Sequence, residues 1–314
     1  MSKILVTGGA GFIGSHVAGA LLARGDSVCV LDNFNDFYAP ALKRENAARL
    51  TRAQIVSGDI RDQALVAKLF EQGGFDGIVH LAAMAGVRPS LEDPLHYADV
   101  NVRGTLILLE QLKQRPTTRF VFASSSSVYG SNERVPFRED DDIHHPVSPY
   151  AATKRAGELL AYTYHHLYGV PTACLRFFTV YGPGQRPEMA IAKFTRSIMA
   201  KQPIPFFGDG STRRDYTYVD DIVDGVLACT ARDFGYEVFN LGESQTVRLD
   251  ELIALLEQAL GKKALIDRQP PQPGDVPVTY ADISKARAKL GYDPQTKIAA
   301  GIPKFVEWFR ANAT

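Results

Sequence analysis

The chain has 314 residues, of which 45% are apolar and 22% are charged, as in ordinary globular enzymes. This length is enough for two domains, or for one large α/β domain with a smaller companion. Lysine plus arginine and aspartate plus glutamate both number 35, which excludes a global electrostatic field that recruits nucleic acid or an anionic membrane.

The three cysteines, Cys29, Cys174 and Cys229, lie in apolar segments at no metal-ligand spacing, so no metal site is expected. They indicate core thiols in a reducing compartment. The N-terminal apolar run is too short for a signal peptide, and no stretch approaches a membrane span. We therefore expect a cytoplasmic protein that binds neither nucleic acid nor membrane.

A β-type apolar run over Lys3–Thr7 leads into a glycine turn, and a helical pattern follows over Phe12–Arg24. In this turn Gly8 and Gly11 permit close approach of the backbone, and Gly14 lets the helix pack on the sheet. The helix N-terminus offers unpaired N–H groups and a positive dipole end. The segment therefore predicts a site for the pyrophosphate of a dinucleotide.

A second strand is predicted over Ser27–Leu31, and Asp32 follows it, 18 residues (32 minus 14) beyond Gly14. An acid at this place accepts hydrogen bonds from both ribose hydroxyls and repels a 2′-phosphate. The pattern therefore favours NAD over NADP. The alternative is that Asp32 only begins a turn before Asn33.

Strand-like and helical patterns alternate through the first 180 residues, which is typical of a parallel, doubly wound sheet. The predicted strands are Lys3–Thr7, Ser27–Leu31, Ala53–Ser57, Gly77–Leu81, Arg119–Ala123 and Thr172–Phe177. The clearest later helical patterns are Leu95–Lys113, Tyr150–Tyr168, Met189–Ala200, Val219–Ala231 and Leu249–Leu260. The fold class is therefore α/β, with a Rossmann domain at residues 1–180, to which residues 236–241 return as a strand. A smaller α/β substrate domain is expected at residues 181–314.

Tyr150 and Lys154 are spaced i and i+4 on a predicted helix, so they share a face and can address one ligand. A free tyrosine has a pKa of about 10, but a nearby ammonium and the positive ring of an oxidised nicotinamide both favour the phenolate. Such a phenolate can take an alcohol proton while a hydride leaves the carbon. The alternative is a partly buried tyrosine beside a surface lysine, which the upstream glycine turn makes the weaker interpretation.

Several motifs together resemble the extended short-chain dehydrogenases/reductases, specifically the nucleotide-sugar epimerases, over essentially the full chain. They are the glycine turn, residues 58–62, 80–83 and 124–130, the Tyr150/Lys154 pair, and residues 213–216 and 219–221. By this resemblance, Asp59 and Ile60 flank the adenine, and Lys154 also holds the nicotinamide ribose. The implied cofactor contacts besides the glycines and Asp32 are Phe12, Ile13, Asn33, Asp59, Ile60, Leu81, Ala82, Ala83, Tyr150 and Lys154.

Four consecutive serines, at positions 124–127, precede the tyrosine. A hydroxyl hydrogen-bonded to the 4-hydroxyl of a sugar can position the proton that moves to Tyr150. Ser125 matches the family's catalytic position, with Ser126 and Ser127 facing the sugar, although an inert loop is the alternative for any one of them. The related 4,6-dehydratases carry an Asp-Glu pair here, so dehydration is not expected.

The segment from Arg176 to Pro187 indicates the substrate. It resembles the corresponding segment of the UDP-glucuronate 4-epimerases. Epimerases of neutral UDP-hexoses usually have Asn where Thr179 stands. A carboxylate in a dry pocket needs a hydroxyl or guanidinium partner, and Thr179 with Arg186 supplies both. A solvent-exposed loop arginine is the alternative for Arg186. Further substrate contacts are expected from Arg88, from Arg214 at the diphosphate, and from Gln272 and Asp275 over the nucleotide.

We therefore expect oxidation at C4 with bound NAD, rotation of the 4-keto sugar, and hydride return, which converts UDP-glucuronate to UDP-galacturonate. The alternatives are a UDP-glucuronate decarboxylase, an epimerase of UDP-glucose or UDP-N-acetylglucosamine, and a catalytically idle NAD(H)-sensing binding protein. The family habit also implies a homodimer through the helices predicted at Leu95–Lys113 and Tyr150–Tyr168.

Overall fold

The computed structural model describes residues 1–270 and 276–312. Its strands are β1 Lys3–Thr7, β2 Ser27–Asp32, β3 Gln54–Ser57, β4 Gly77–His80, β5 Arg119–Ser125, β6 Thr172–Phe177, β7 Thr179–Tyr181, β8 Pro203–Phe207, β9 Arg213–Tyr218, β10 Tyr236–Leu241, β11 Thr246–Arg248 and β12 Leu265–Gln269. Its α-helices are α1 Phe12–Arg24, α2 Pro40–Arg49, α3 Gln63–Gly73, α4 Val87–Glu92, α5 Pro94–Ala98, α6 Gly104–Leu112, α7 Pro149–Tyr168, α8 Ala190–Met199, α9 Val219–Thr230, α10 Leu249–Leu260, α11 Ser284–Leu290 and α12 Ile298–Asn312.

A seven-stranded sheet in the order β10-β6-β5-β4-β1-β2-β3 forms the centre of the molecule, and all its neighbouring strands pair in parallel. Its inner strands are mostly buried apolar runs because both faces of the sheet are covered by helices, whereas the edge strand β3 is largely exposed. One face packs against α1 and α9, and the other against α3, α6 and α7. The predicted α/β class with a doubly wound parallel sheet is therefore confirmed.

Apart from α9 and β10, which join the large sheet, much of the chain beyond β6 builds a smaller layer over one end of this sheet. It contains a three-stranded sheet, β11-β9-β7, and a two-stranded sheet, β12-β8, with α10 packed against α8 and α12. β10 leaves this layer and pairs with β6 at the edge of the large sheet. Because parallel strands end at the same edge, this layer and the strand ends enclose a cleft.

The helix predicted over Leu95–Lys113 is not regular. A π-helical segment, Asp99–Arg103, joins α5 to α6. A π turn contains one extra residue per hydrogen-bonded ring and is common at functional sites. Periodicity alone did not predict it, because the apolar pattern continues on both sides.

The C-terminal helix α12 was not singled out from the sequence. It contains Pro303, a residue that usually ends or kinks a helix. Ile302 and Phe305 on this helix are fully buried, so packing of its apolar face stabilises it. In the described part of the chain, none of the helices combines the length and apolar character needed to cross a bilayer.

Candidate active site

A cleft of about 590 Å³ lies where the smaller layer covers the carboxyl ends of the sheet strands. Every predicted site residue within the described ranges lines it. These are Gly8, Gly11, Phe12, Ile13, Gly14, Asp32, Asn33, Asp59, Ile60, Leu81, Ala82, Ala83, Arg88, Ser125, Ser126, Ser127, Tyr150, Lys154, Thr179, Arg186 and Arg214. The predicted contacts Gln272 and Asp275 lie outside the described residues.

The glycine turn leaves no room for side chains. Gly8 has a φ of +70°, and a Cβ placed on it would lie 2.7 Å from the Ala82 nitrogen. A Cβ on Gly14 would lie 2.1 Å from the carbonyl oxygen of Gly8. Gly11 precedes helix α1 and has no side chain to cap it, so the first N–H groups of α1 face the cleft. The turn thus fits a dinucleotide pyrophosphate held by backbone N–H groups.

Asp32 ends β2 beside this turn. Its carboxylate accepts hydrogen bonds from the backbone nitrogens of Ala10, at 3.1 Å, and Phe34, at 2.9 Å. These bonds fix the carboxylate at the end of the strand. At this place it can accept hydrogen bonds from the ribose hydroxyls of a dinucleotide. Asp32 therefore both forms the turn that follows β2 and ties that turn to the glycine turn.

Asp59 lies next to Asp32 in the cleft and is engaged in an ion-pair network. It accepts hydrogen bonds from Asn33, at 2.9 Å, and from Arg61, at 2.8 Å, and Arg61 also pairs with Asp99. The hydrogen bond from Arg61 is the largest reason why the pKa of Asp59 lies far below its ordinary value. The carboxylate therefore remains charged over the whole working pH range.

Lys43 was not predicted, yet it lines the cleft near Asp32. Its ammonium donates to the carbonyl oxygen of Asn35 at 2.8 Å and lies 4.6 Å from the centre of the Tyr38 ring. Burial lowers its pKa, and the charge of Asp32 opposes that shift. A buried cation at this place adds positive charge to a site already suited to phosphates.

Tyr150 and Ser125 meet at the centre of the cleft. Ser125 Oγ accepts hydrogen bonds from the Ser127 hydroxyl, at 2.9 Å, and from the Ser127 nitrogen, at 3.1 Å. Its own proton is therefore directed to Tyr150, with which it forms a side-chain hydrogen bond. Burial raises the pKa of Tyr150, and this hydrogen bond and the charge of Arg186 both lower it. The three hydroxyls therefore form a hydrogen-bonded chain in the order Ser127, Ser125 and Tyr150.

Lys154 lies one turn further along α7 and is buried. Its ammonium donates to the carbonyl oxygen of Ala123 at 2.7 Å and lies 6.0 Å from the centre of the Tyr150 ring. Burial lowers its pKa to about 7. The charge of Arg186 also lowers the pKa of Tyr150, so a second cation besides Lys154 favours the phenolate.

The π segment connects this site to the rest of the cleft wall. The Asn101 amide accepts from the Met84 nitrogen, at 2.8 Å, and donates to the Met84 carbonyl oxygen, at 2.9 Å, and to Thr153, at 3.0 Å. Thr153 immediately precedes Lys154 on α7. Asn101 therefore fixes the strand-end loop against the helix that carries the tyrosine, a role that no sequence motif indicated.

A second buried chain of hydrogen bonds lies behind Asn101. Thr105 Oγ1 donates to the Asn101 carbonyl oxygen and accepts from His80 Nε2, at 2.9 Å, while His80 Nδ1 accepts from Thr7 at 2.7 Å. Burial lowers the pKa of His80 to about 3, so the imidazole is neutral at physiological pH. This arrangement is structural, and none of its groups faces the reacting centre.

The first serine of the run has a different environment. Ser124 donates to Glu158 at 2.6 Å, and Glu158 forms a buried ion pair with Arg176 at 2.9 Å. Both charged side chains are at most 2% exposed. The pair holds β5 and β6 to α7 beneath the serine run, so Ser124 supports the site while Ser125 faces Tyr150.

The outer half of the cleft is rich in arginine. Arg186 has its guanidinium 5.6 Å from the centre of the Phe37 ring and 3.1 Å from Glu188. Arg88 lies over the Phe207 ring, at 5.2 Å. Arg186 lies in the cleft rather than in solvent, with 20% of its side chain exposed. The cleft can therefore bind several negatively charged groups at once.

Within the described residues there is no cluster of histidine, cysteine, aspartate and glutamate that could hold a metal ion. The three cysteines are free and buried, and burial raises their pKa values. Their thiols are therefore inert core groups. The groups suited to proton transfer that line the cleft include Tyr150, Ser125 and Lys154.

Comparison with known proteins identifies the family of the chain. A family model described as GDP-mannose 4,6 dehydratase matches residues 5–305. The chain is 47% identical to UDP-glucuronate 4-epimerase 4 of Arabidopsis thaliana, over 98% of this chain and 75% of the relative.

Two solved structures superpose on almost the whole chain. One is UDP-glucuronic acid 4-epimerase from Bacillus cereus, in complex with UDP-glucuronic acid and NAD, with 36% identity, a TM-score of 0.93 and coverage of 98% and 99% of the two chains. The other is UDP-glucose 4-epimerase from Thermotoga maritima, with 35% identity, a TM-score of 0.92 and coverage of 99% and 100%. The chain therefore belongs to the extended short-chain dehydrogenases/reductases, in the family of nucleotide-sugar epimerases and dehydratases.

Proposed function

We propose that this protein is a UDP-glucuronate 4-epimerase, which interconverts UDP-glucuronate and UDP-galacturonate. The observation that carries the proposal is that Thr179 and Arg186 line the same cleft as Tyr150 and Ser125. A hydroxyl and a guanidinium beside the proton-transfer groups suit a sugar that bears a carboxylate. The similarity to UDP-glucuronate 4-epimerases over 98% of the chain supports the same substrate.

The proposed cofactor is NAD, held by the glycine turn, the N-terminus of α1 and the carboxylate of Asp32. Phe12, Ile13, Asn33, Asp59, Ile60 and residues 81–83 complete its proposed contacts, and Lys43 adds a positive charge. Bound NAD supplies a hydride acceptor and donor at C4. Because Asp32 repels a 2′-phosphate, NADP is not the expected cofactor.

Proton transfer is assigned to Tyr150. Its phenolate takes the proton of the 4-hydroxyl, and the Ser125 hydroxyl, which adjoins the phenol, positions this hydroxyl. Lys154 adds positive charge beside the phenolate and orients the ribose of the cofactor. Once the 4-keto sugar has turned its opposite face to the site, Tyr150 returns the proton and the configuration at C4 is inverted.

The carboxylate of the sugar is assigned to Thr179 and Arg186, with Ser126, Ser127 and Arg88 near the sugar. A 4-keto uronate is a β-keto acid, which loses CO₂ when its carboxylate aligns with the carbonyl π system. We propose that Thr179 and Arg186 hold the carboxylate away from that alignment. The serine run contains no acid for a dehydration step, which argues against dehydratase activity in this chain.

The nucleotide is assigned to the other end of the cleft. Arg214 is the proposed partner of the diphosphate, and Gln272 and Asp275, which lie outside the described residues, are proposed contacts of the nucleotide. We also propose a homodimer, because α5 and α7 carry the exposed apolar side chains Leu95, at 82%, and Leu159, at 50%. The three reduced, buried thiols fit a cytoplasmic location.

The test is NMR of the purified protein with UDP-glucuronate and no added cofactor. A 4-hydroxyl that changes from equatorial to axial, without CO₂ release, is the expected result and requires that NAD co-purifies. A UDP-pentose with CO₂ would identify a decarboxylase. Turnover of UDP-glucose but not UDP-glucuronate would identify a neutral-sugar epimerase, and no turnover of either would favour a binding protein.

A further inference from the structure

Glu188 lies two residues beyond Arg186 and lines the same cleft. Its Oε1 is 3.1 Å from Arg186 Nε, and 41% of its side chain is exposed, compared with 20% for Arg186. The arginine assigned to the sugar carboxylate is thus already paired with a carboxylate of the protein. A substrate carboxylate must therefore share this guanidinium with Glu188 or displace Glu188 from it.

The pair between Glu188 and Arg186 affects the step in which the sugar rotates. Inversion at C4 requires the 4-keto sugar to present its opposite face, so the carboxylate on the adjacent carbon changes place in the cleft. During that movement the carboxylate leaves Arg186. A guanidinium left without a partner in a partly buried site is costly, and the cost would add to the barrier for rotation.

We infer that Glu188 is an exchange partner for Arg186, which replaces the sugar carboxylate while the 4-keto sugar rotates. This inference rests on the proposed function. Glu188 acts through Arg186 and is a positioning residue, since nothing in the chemistry at C4 requires it. Its carboxylate lowers the free-energy cost of releasing the substrate's carboxylate from Arg186 and so speeds rotation. The same carboxylate competes for Arg186 with an incoming uronate and so weakens initial binding.

The geometry suits such an exchange. Phe37 lies against the guanidinium of Arg186, at 5.6 Å, and holds its plane while carboxylates change places. The pair with Glu188 is made through Nε, and arginine has four more N–H donors for a second carboxylate. With 41% of its side chain exposed, Glu188 can turn into solvent when the substrate carboxylate takes the guanidinium, so neither carboxylate is left buried and unpaired during the exchange.

The test compares Glu188→Gln and Glu188→Asp with the unaltered holoenzyme. Glutamine keeps the size and the hydrogen-bond acceptor of glutamate and removes only its charge. Binding is measured by titration calorimetry in the Tyr150→Phe background, which prevents turnover, with UDP-glucuronate and UDP-glucose as ligands. Turnover is measured with UDP-glucuronate carrying hydrogen or deuterium at C4. Asp250→Asn is the matched control, because Asp250 pairs with Arg248 at 44% exposure and does not line the cleft.

For Glu188→Gln we expect UDP-glucuronate to bind about five- to tenfold more tightly, as expected for loss of one competing charge, with unchanged binding of UDP-glucose. We expect kcat to fall by a similar factor and the isotope effect on kcat to shrink, because rotation then limits the rate. Glu188→Asp should restore most of kcat. Unchanged kcat and UDP-glucuronate affinity in Glu188→Gln, or equal changes for both ligands, would overturn the inference. If the unaltered enzyme does not epimerise UDP-glucuronate, the proposed function fails instead.

Discussion

Tyr150 and Tyr162 lie on the same helix, but only Tyr150 lines the cleft, while Tyr162 is 51% exposed. We predict that Tyr150→Phe lowers kcat by about 10²- to 10⁴-fold, the usual contribution of a general acid–base group. Binding of UDP-glucuronate should change little, because the ring remains. Tyr162→Phe is the control and should retain full activity. A Tyr150→Phe enzyme with more than about a tenth of normal kcat would contradict the assignment of the proton to this phenol.

Arg186 combines two effects that can be separated. Its charge lowers the pKa of Tyr150, so Arg186→Ala should raise that pKa and move the acidic limb of the kcat/KM profile to higher pH. Arg186→Lys keeps the charge and should largely restore the position of the limb. Lysine does not make the paired hydrogen bonds of a guanidinium, so this variant tests the charge of Arg186 separately from its hydrogen bonds to a carboxylate.

The second effect of Arg186 concerns decarboxylation. If Thr179 and Arg186 hold the carboxylate, Arg186→Ala and Thr179→Ala should release CO₂ and yield a UDP-pentose, which NMR of the products would detect. Arg287→Ala, outside the cleft, should give the epimer alone. Clean epimerisation by both cleft variants, with only weaker binding, would contradict the clamp.

The site residues that could be predicted are those that stand in recognisable sequence motifs. The glycines and the Tyr150/Lys154 pair stand in motifs whose spacing implies their contacts, and Ser125 was assigned from its resemblance to the family's catalytic position. Lys43 and Asn101 were not found, because their roles depend on contacts between separate elements, and Glu188 was not found, because no motif on which the resemblance rests includes it. Lys43 meets Asn35 across a loop, and Asn101 meets Met84 across the cleft wall.

Helix α1 offers a prediction about an element, because it carries two glycines in different surroundings. A Cβ on Gly14 would lie 2.1 Å from the Gly8 carbonyl oxygen, whereas one on Gly19 would meet only the end of Leu50, at 3.9 Å. We predict that Gly14→Ala lowers the free energy of unfolding by about 1–3 kcal/mol, as overpacking usually does.

Gly14→Ala should also lose bound NAD, since the start of α1 must move away from the turn. Gly19→Ala should be stable or slightly more stable, by up to about 1 kcal/mol, since alanine favours helix. Chemical denaturation and the absorbance of released cofactor measure the two effects. Equal cofactor content in the two variants would show that the close contact at Gly14 does not shape the binding turn.

Helices and strands with an uninterrupted periodicity of apolar residues were predicted well. The parallel pairing of the large sheet follows from the alternation of strands and helices along the chain. The strands β7, β8, β9, β11 and β12 were not predicted individually, because they are short and lie among proline- and glycine-bearing loops. Their pairing depends on partners far away in the sequence, such as β9 with β7 and β11. Local propensity carries little information about such strands.

At the scale of the whole molecule, the exposed side chains on α5 and α7 test the proposed homodimer. Leu159 is 50% exposed on α7, and Leu265 is 52% exposed on β12, far along the chain. We predict that Leu159→Glu converts a dimer to a monomer, because a buried unpaired charge at an interface is costly. Leu265→Glu should leave the mass unchanged. Sedimentation velocity measures both, and a monomeric unaltered protein would contradict the proposal.

The wide π turn at Asp99–Arg103 also has a consequence for chain length. Deleting one residue from such a turn can leave an ordinary α-helix, in which everything downstream keeps its place, so Leu108 and Leu109 would remain buried. What would change is the position of Asn101 relative to Met84 and Thr153. A one-residue deletion here would therefore remove the hydrogen bonds that Asn101 makes beside the active site while the core remains packed. Insertions and deletions at this turn can thus change activity in evolution without changing the fold.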